Sequence, residues 1–433
     1  MIKKYLSLFF IPIAGLGSIA CYRFLAIQKD LRANIPQFLI VYTLLFLIYI
    51  ITLLLAQKQD KFKKQTIILL VGFAISFRIF LLPSAPTLSN DIYRYLWDGK
   101  LTSSGIDPYI RPDSTELLHM QDKIYSQMDH KDCISIYPPI TQLIFMITYK
   151  LKPTVSMMKF IFVIFDIGTI FLLYLLLKAL KKEPHNIVIY AWNPLVVIEV
   201  AGSGHLEPFA IFWLILALLL YYKKENLQSS LAMVVSILAK LITLPLLALL
   251  SLRIGRKKTF CAIIFAIICY LPFIKEWKNI LAGLSYFFGL WEFNGSVFSV
   301  ILSITGSYVA SKIVLTVLAL SLLIYLSLKK VDLLKSCYLM LGLILVLSPV
   351  VHPWYLLWII PFICIYQNTA WLTFTFTVAF SYSILTQYYY QGAWEENTQV
   401  KLLVYLPFYL LLVVNCCRKG FHFFKARGTL VSR

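Results

Sequence analysis

The sequence predicts an all-α integral membrane protein, a bundle of about twelve transmembrane helices, and three observations support this class. Of its 433 residues, 60% are hydrophobic and 15% are aromatic, whereas soluble domains contain roughly 45–50% apolar residues. Apolar runs of about twenty residues recur along the whole chain, and each is long enough to cross about 30 Å of hydrocarbon. These runs are continuous, whereas the strands of a membrane β-barrel alternate between apolar and polar residues.

The charge of the chain predicts membrane lipids, and not nucleic acid, as its surroundings. The formal net charge is +20, but the Lys and Arg residues occur in short clusters between the apolar runs. Such clusters are typical of the cytoplasmic loops of membrane proteins. They lie at residues 58–64, 178–182, 223–224, 253–258 and 329–330, and in the tail after Arg418.

Placing these clusters in the cytoplasm orders the first spans. Residues 5–23 leave the cytoplasm, residues 37–56 return and residues 66–82 leave again, so that residues 84–139 form a long outer loop. The next apolar stretch, residues 140–151, has only about a dozen residues, too few to cross the bilayer comfortably. We expect this stretch to be re-entrant or to lie along the outer surface.

The later spans follow the same rule. Residues 227–252 begin and end near cytoplasmic clusters, with Lys240 in the middle and Pro245 just after it. This pattern predicts a hairpin of two half-helices, because irregular backbone is tolerated where it lines a cavity. Residues 275–296 are expected to form an outer loop. The other predicted spans are 157–180, 186–201, 209–222, 259–274, 311–328, 333–350, 355–366, 370–388 and 401–417, which places both termini in the cytoplasm and makes residues 1–433 one transmembrane domain.

The outer loop holds many of the acidic residues of the chain. Carboxylates beside a membrane are costly unless they meet water, a cation or a substrate, so this concentration predicts a functional loop. Eight of the 20 acids lie here: Asp91, Asp98, Asp107, Asp113, Glu116, Asp122, Asp129 and Asp132.

The loop opens with the segment SNDIYRYLWDG. If this segment is helical, Asp91, Tyr95 and Asp98 share one face, and Arg94 lies beside both carboxylates. One carboxylate next to a cation suits the deprotonation of a hydroxyl group beside an anionic leaving group. The alternative is an interfacial helix whose charges face water.

Other unusual polar residues fall on the same outer side of the predicted topology. They are Tyr137, His205, Glu207, Asn294 and His352. A solvated Gly-rich turn is the alternative for His205 and Glu207, and a His and a Glu two residues apart do not by themselves form a metal site. Trp354, Tyr355 and Trp358 are expected to form an interfacial aromatic belt.

Lys240 is a charged residue in the middle of an apolar segment, which is costly without a partner. Its neighbours in the sequence include no acid. We therefore expect Lys240 to contact a phosphate group or a water-filled cavity rather than to form a structural ion pair. Snorkelling to the interface is the alternative, and it is difficult from this position. Asp166, also within a span, either pairs with a neighbour or faces the cavity.

In their order along the chain, the outer motifs resemble those of the GT-C superfamily of membrane glycosyltransferases, especially bacterial polyprenol-phosphate-mannose-dependent mannosyltransferases. No single motif is specific, and the resemblance rests on their succession from about residue 89 to residue 358. The matching stretches are DIYRYLWDG, IYPP at the end of the loop, AWNPL followed by GSGH, AK followed by a proline, WEFNGS and SPVVHPWYLLW.

This resemblance implies an enzyme that inverts the anomeric centre while it moves a hexose, with mannose as the first expectation. The implied donor is a polyprenyl-phosphate sugar, the acceptor is a lipid-linked or cell-envelope glycan, and the reaction occurs on the non-cytoplasmic face of a bacterial inner membrane. It also implies that Asp91 is the general base. Lys240, Arg94 and His352 are then expected at the donor phosphate, and Tyr95, Asp98, Tyr137, His205, Glu207 and Asn294 at the substrates.

One departure from the family pattern and two alternatives remain. Ile92 and Tyr93 follow Asp91, so the chain lacks the DxD pair of many relatives; we expect no cofactor and no metal site, and dependence on a divalent metal stays open. A transporter or flippase of an anionic lipid or sugar is the alternative from another class, although the sequence has none of the inverted repeats common in transporters. A GT-C enzyme specific for glucose or aminoarabinose is the other.

Overall fold

The computed structural model of the protein describes residues 6–57 and 63–431, and within them the chain is mostly helical and has no strand. The expected all-α class is therefore confirmed. The predicted cytoplasmic cluster 58–64 lies mostly outside the described residues, and so do the first residue of the predicted first span and the side chains of the basic tail after Arg418. The helices are α1 (Leu6–Ala26), α2 (Ile35–Gln57), α3 (Lys63–Leu81), α4 (Asp91–Ser103), α5 (Thr115–Leu118), α6 (Lys123–Gln127), α7 (Pro139–Leu151), α8 (Val155–Ala179), α9 (Val188–Ala191), α10 (Pro194–Val197), α11 (Glu207–Tyr222), α12 (Asn226–Ala239), α13 (Leu244–Ile254), α14 (Arg256–Tyr270), α15 (Trp277–Leu290), α16 (Val297–Thr305), α17 (Tyr308–Leu328), α18 (Leu333–Leu347), α19 (Ile360–Tyr366), α20 (Thr369–Thr377), α21 (Ile384–Gln391) and α22 (Thr398–Val431).

Several of these helices have the length and composition of membrane spans, which makes the protein an integral membrane protein. In the described part of the chain there are seven, or eight if one bent pair forms a single span. The number of about twelve crossings stays a prediction. The seven are Leu8–Ala26, Leu31–Gln57, Lys64–Leu81, Val155–Ala179, Arg256–Tyr286, Tyr308–Leu328 and Thr398–Cys417.

The predicted span 186–201 is not one continuous helix. It is bent by 55° between Pro184–Ala191 and Pro194–Ser203. Pro194 lacks an amide hydrogen and disfavours a helical conformation at the residue before it. Asn193 is extended there, with a ψ of 120°, and its side chain accepts a hydrogen bond from the amide of Leu195. The second half ends in a π-helical turn, Ile198–Ser203, a geometry that often occurs at functional sites.

The predicted break at Lys240 is confirmed. Helix α12 ends at Ala239, and Lys240 is extended, with φ −156° and ψ 127°. A short 3₁₀ turn, Leu241–Thr243, leads into α13, and α12 contacts α13. The segment expected as an outer loop at 275–296 is a different case, because α15 occupies most of it. This prediction was wrong: the run from Trp277 is apolar enough to continue the helical path of α14.

The long segment that is predicted to lie outside the cytoplasm is a small folded unit rather than an open loop. It contains α4, α5 and α6, whose apolar side chains pack into a separate cluster formed by Trp97, Leu101, Leu117 and Met128. Helix α7, the short stretch after the loop, packs against α4. The segment therefore has an apolar core of its own, which holds α4 in place against α6 and α7.

An ion pair in the bundle resolves the choice left open for Asp166. The Arg78 guanidinium donates to Asp166 at 2.5 Å and to the carbonyl oxygen of Ala191 at 2.7 Å, and the Tyr190 hydroxyl donates to Asp166 at 2.7 Å. Both charged side chains are fully buried. Asp166 thus pairs with a neighbour and joins α3, α8 and α9 in the region behind the bent helix pair.

Candidate active site

Asp91 is the first residue of α4, directly after the loop that follows α3. Its amide donates to the Ser89 hydroxyl at 3.2 Å, and 41% of its side chain remains exposed. The carboxyl group is nevertheless crowded by protein atoms, and this desolvation raises its pKa to about 6. The carboxylates of Glu207 and Asp129 raise this pKa further, whereas the Lys240 ammonium lowers it. Asp91 is therefore a stronger base than a free aspartate.

His205 brings an imidazole to the same carboxylate. Its Nδ1 lies 3.6 Å from Oδ2 of Asp91, and its ring is buried. Gly204 makes this position possible, because its φ is +77° and a Cβ there would lie 2.5 Å from Ile92 and 2.7 Å from the Lys159 side chain. Burial lowers the pKa of His205 well below its usual value, and the positive charge of Lys240 lowers it further. The imidazole is therefore neutral at physiological pH.

Lys240 forms an ion pair with Glu207, so the expectation that it lacks a protein partner was wrong. Helices α11 and α12 are antiparallel neighbours, with Glu207 at the start of the first and Lys240 just after the end of the second. The ammonium donates to Oε1 of the fully buried Glu207. It also lies 5.0 Å from the centre of the Tyr355 ring, within cation–π range.

Four stacked rings form one wall of the site. Trp354 lies between two imidazoles, with ring centres 3.9 Å from His205 and 4.2 Å from His352, and Phe293 stacks on the other side of His352 at 4.7 Å. Burial, together with the positive charges of Lys240 and His130, lowers the pKa of His352 to about 3. Both imidazoles are thus neutral hydrogen-bonding groups.

The expected aromatic belt is not present at this position. Only 7% of Trp354 is exposed and Trp358 is fully buried, whereas belt residues contact the membrane interface. Trp354 and Tyr355 instead contact His205 and Lys240. Composition alone cannot separate these two environments, because the same aromatic residues suit both.

Arg94, Asp98, Tyr95 and Tyr137 form a layer beside Asp91. The Arg94 guanidinium pairs with the buried Asp98 at 2.9 Å and donates to the Cys133 carbonyl at 2.9 Å. Asp98 also accepts hydrogen bonds from Ser135 and Gln142. The Tyr95 and Tyr137 rings meet edge to face at 5.3 Å. These contacts attach the end of the outer loop to α4.

Asn294 supports the ring stack from behind. It has a left-handed φ of +53°, and its side-chain amide donates to the Val351 carbonyl at 3.1 Å. Its own carbonyl accepts a hydrogen bond from Tyr405 at 2.5 Å. The neighbouring Phe293 and Val350 form a short parallel bridge. Asn294 thus fixes the segment that carries His352.

The structure therefore brings together most of the predicted site. Asp91, His205, Glu207, Lys240 and His352 form one cluster, with two carboxyl groups, one ammonium and two neutral imidazoles. Arg94, Asp98, Tyr95, Tyr137 and Asn294 adjoin it. From the sequence, Trp354 and Tyr355 were assigned to an aromatic belt instead of the site, and no role was given to Glu199 or Tyr382. Glu199 was the one with a usable signal, since it is a carboxylate in an apolar span six residues before His205.

The cluster around Asp91 and His205 shows no metal site among the described residues. Among residues 6–57 and 63–431, no group of three or more His, Cys, Asp and Glu side chains converges to hold a metal ion. Glu207 is occupied by Lys240. The metal dependence of the protein stays a prediction.

Comparison with known families identifies the family of the chain. The family described as "Alpha-(1->6)-mannopyranosyltransferase, N-terminal domain" matches residues 22–256, which include Asp91, His205 and Lys240. The MptB C-terminal domain matches residues 279–416, which include Asn294 and His352. No individual curated protein matches the chain. The first match covers more than half of the sequence, so the chain belongs to the alpha-(1->6)-mannopyranosyltransferase family, which is of the GT-C type, and is a membrane glycosyltransferase of the mannosyltransferase class.

Proposed function

We propose that the protein transfers mannose from a polyprenyl-phosphate carrier to a lipid-linked or cell-envelope glycan, with inversion, on the non-cytoplasmic face of a bacterial inner membrane. The observation that supports this most strongly is that Asp91, a half-exposed carboxylate with a raised pKa, lies close enough to the ammonium of Lys240 for that charge to lower its pKa. A hydroxyl acceptor and a lipid-borne phosphate donor require these two groups. The family name suggests an α-(1→6) linkage.

The reaction is a single displacement. Asp91 removes the proton from the acceptor hydroxyl while that oxygen attacks the anomeric carbon of mannose. The bond from this carbon to the phosphate oxygen breaks, and polyprenyl phosphate leaves as an anion. Attack from the side opposite the leaving group inverts the anomeric centre.

Lys240 stabilises the departing phosphate in this proposal. An ammonium group has three hydrogen-bond donors, and one of them is directed to Glu207. Two remain for phosphate oxygens. The partly buried Arg94 and the neutral His352 are further hydrogen-bond donors at the edge of this cluster. Glu207 holds the ammonium in position, because a buried charge without a partner is costly.

Two alternatives remain within the proposal. A transporter of anionic lipids is disfavoured, because the matched families are transferases. Glucose or aminoarabinose in place of mannose would require a different set of contacts to the sugar hydroxyl groups at the same site. The family descriptions favour mannose.

The donor assay is the direct test. The full-length protein in lipid nanodiscs is incubated with extracted envelope lipids and radiolabelled polyprenyl-phosphate mannose, polyprenyl-phosphate glucose or GDP-mannose. We expect transfer only from polyprenyl-phosphate mannose, and none by the Asp91→Asn variant. Transfer from GDP-mannose would contradict the proposed donor, and transfer from the glucose carrier alone would contradict the sugar.

Orientation gives a second test, through a cysteine at Ser104. This residue is exposed at the end of α4, and we expect Ser104→Cys to react with a membrane-impermeant maleimide in intact spheroplasts. Cys133 lies in the same outer segment, so the experiment is done on a Cys133→Ser background. Labelling that requires lysis would contradict the outward orientation of the site.

The dependence of activity on pH gives a third test. Asp91 must be ionised to act as a base, and its raised pKa of about 6 means that kcat/KM should decline below about pH 6 rather than near pH 4. The Asp129 carboxylate raises this pKa. Asp129→Asn should therefore move the acidic limb to lower pH. A limb that stays near pH 4 in the unchanged protein would contradict the assignment of Asp91.

A further inference from the structure

A second carboxylate lies behind the proposed base, on the far side of His205. Oε2 of Glu199 is 3.5 Å from Nε2 of His205, whose Nδ1 is 3.6 Å from Asp91. The Tyr382 hydroxyl donates to Oε1 of Glu199 at 2.7 Å. Four side chains thus form one line from the partly exposed surface into the protein: Asp91 on α4, His205 after the Gly204 turn, Glu199 in the π-turn and Tyr382 before α21.

The inner end of this line is closed to water. Glu199 is fully buried, and Tyr382 is 4% exposed. In the described part of the chain, Glu199 has no Lys or Arg within ion-pairing distance, and Oε2 has no hydrogen-bond partner. A buried carboxylate without a cation is costly, and the cost disappears when the group carries a proton.

His205 also has unused hydrogen-bonding capacity. Neither ring nitrogen has a hydrogen-bond partner at normal distance among the described residues. Nδ1 nevertheless lies 3.6 Å and Nε2 3.5 Å from a carboxyl oxygen, slightly beyond hydrogen-bond distance. A neutral imidazole has one donor and one acceptor nitrogen, and the neighbour of one nitrogen decides the state of the other.

We propose that Glu199 is a positioning residue that carries a proton, donates it in a hydrogen bond to Nε2 of His205, and thereby fixes the tautomer whose Nδ1–H faces Asp91. The inference rests on the proposed role of Asp91 as the base. Tyr382 holds the opposite oxygen of Glu199, so that the protonated oxygen is the one that faces His205.

The consequence for Asp91 has a definite sign. A donor directed at a carboxylate stabilises its charged form and lowers its pKa, so the His205 N–H partly offsets the desolvation of Asp91. Removal of Glu199 frees the tautomer and should raise the pKa of Asp91. Among the described residues, the other titratable or charged groups that face this line are Glu207, Lys240, Asp129, His352, Tyr42, Tyr95, Tyr137 and Tyr355.

The test compares Glu199→Met with Glu199→Gln in the full-length protein. The Gln amide can donate to Nε2 and accept from Tyr382, so Glu199→Gln should retain activity within about threefold and an unchanged acidic limb. Glu199→Met removes the donor that orients His205 and, through it, Asp91, and we expect kcat to fall about 10- to 100-fold, because a misplacement of about 1 Å at a reacting group can cost about 10²-fold. Its acidic limb should move to higher pH, and Tyr382→Phe should show a smaller shift in the same direction.

The outcomes separate this inference from the proposed function. If Glu199→Gln is as impaired as Glu199→Met, or if Glu199→Met keeps both its rate and its pH profile, the inference is wrong. If Glu199→Met does not accumulate, Glu199→Gln and Tyr382→Phe decide alone: a retained rate in the first with a shifted limb in the second supports the inference, and any other pair overturns it. An active Asp91→Asn variant would instead refute the proposed function.

Discussion

Asp91→Asn should reduce mannosyl transfer by about 10²- to 10⁴-fold, the usual contribution of a general base. The amide keeps the shape of the side chain and its place at the start of α4, but it cannot take the proton of the acceptor hydroxyl. Donor binding depends on cations rather than on Asp91, so it should persist. The measurement is single-turnover transfer from polyprenyl-phosphate mannose, together with equilibrium binding of the same donor.

Asp113→Asn is the matched control for this variant. It makes the same chemical change in the same outer segment, at an exposed carboxylate that pairs only with Arg111 within the described residues, and it should leave transfer unchanged. Asp98→Asn is a stricter comparison, since Asp98 is the other carboxylate on α4. If Asp91→Asn turns over normally and a folded Asp98→Asn does not, the wrong carboxylate has been assigned.

Lys240→Met should weaken the protein in two separate ways. It leaves Glu207 buried without its partner, and breaking a buried ion pair costs about 3–5 kcal/mol of folding free energy. It also removes the ammonium that we propose contacts the donor phosphate, which should raise the dissociation constant of the donor. Thermal unfolding in nanodiscs measures the first effect, and donor binding measures the second.

The double variant Lys240→Met with Glu207→Gln separates these effects. It removes both charges, so no charge is left buried without a partner, and stability should largely return. Donor binding should stay weak. Normal donor affinity in a stable double variant would show that Lys240 has only a structural role, and the proposed phosphate contact would then be wrong.

Local patterns in the sequence predicted the elements but not their pairing. The helix that starts at Asp91 and the break at Lys240 follow from hydrophobic periodicity, a buried charge and Pro245, all of which act over a few residues. The Lys240–Glu207 pair joins residues 33 positions apart, and a search of near neighbours could not reveal it. Pro194 was a sequence signal for the bend at Asn193, but the apolar residues on both sides favoured the prediction of one continuous span.

The aromatic residues show the same limit from the side of packing. Trp354 and Trp358 have the composition of interfacial anchors, and only the tertiary structure places them inside the bundle. The predicted membrane topology was more informative about the site than the local sequence patterns were. The positive clusters alone placed Asp91, His205, Glu207 and His352 on the same predicted side of the membrane. Charge asymmetry is a property of whole loops and does not depend on the details of packing.

The hairpin of α11 and α12 has a consequence for how the protein is made. Its helices have 16 and 14 residues, short for spans, and the charges Glu207 and Lys240 occupy its open end. A single charged residue costs roughly 2.5–3.5 kcal/mol at the centre of an inserting helix. Because each charge neutralises the other, we expect the hairpin to leave the translocon as one unit, with Lys223 and Lys224 retained at the cytoplasmic tip. The same ion pair that prepares the site would then also govern biogenesis.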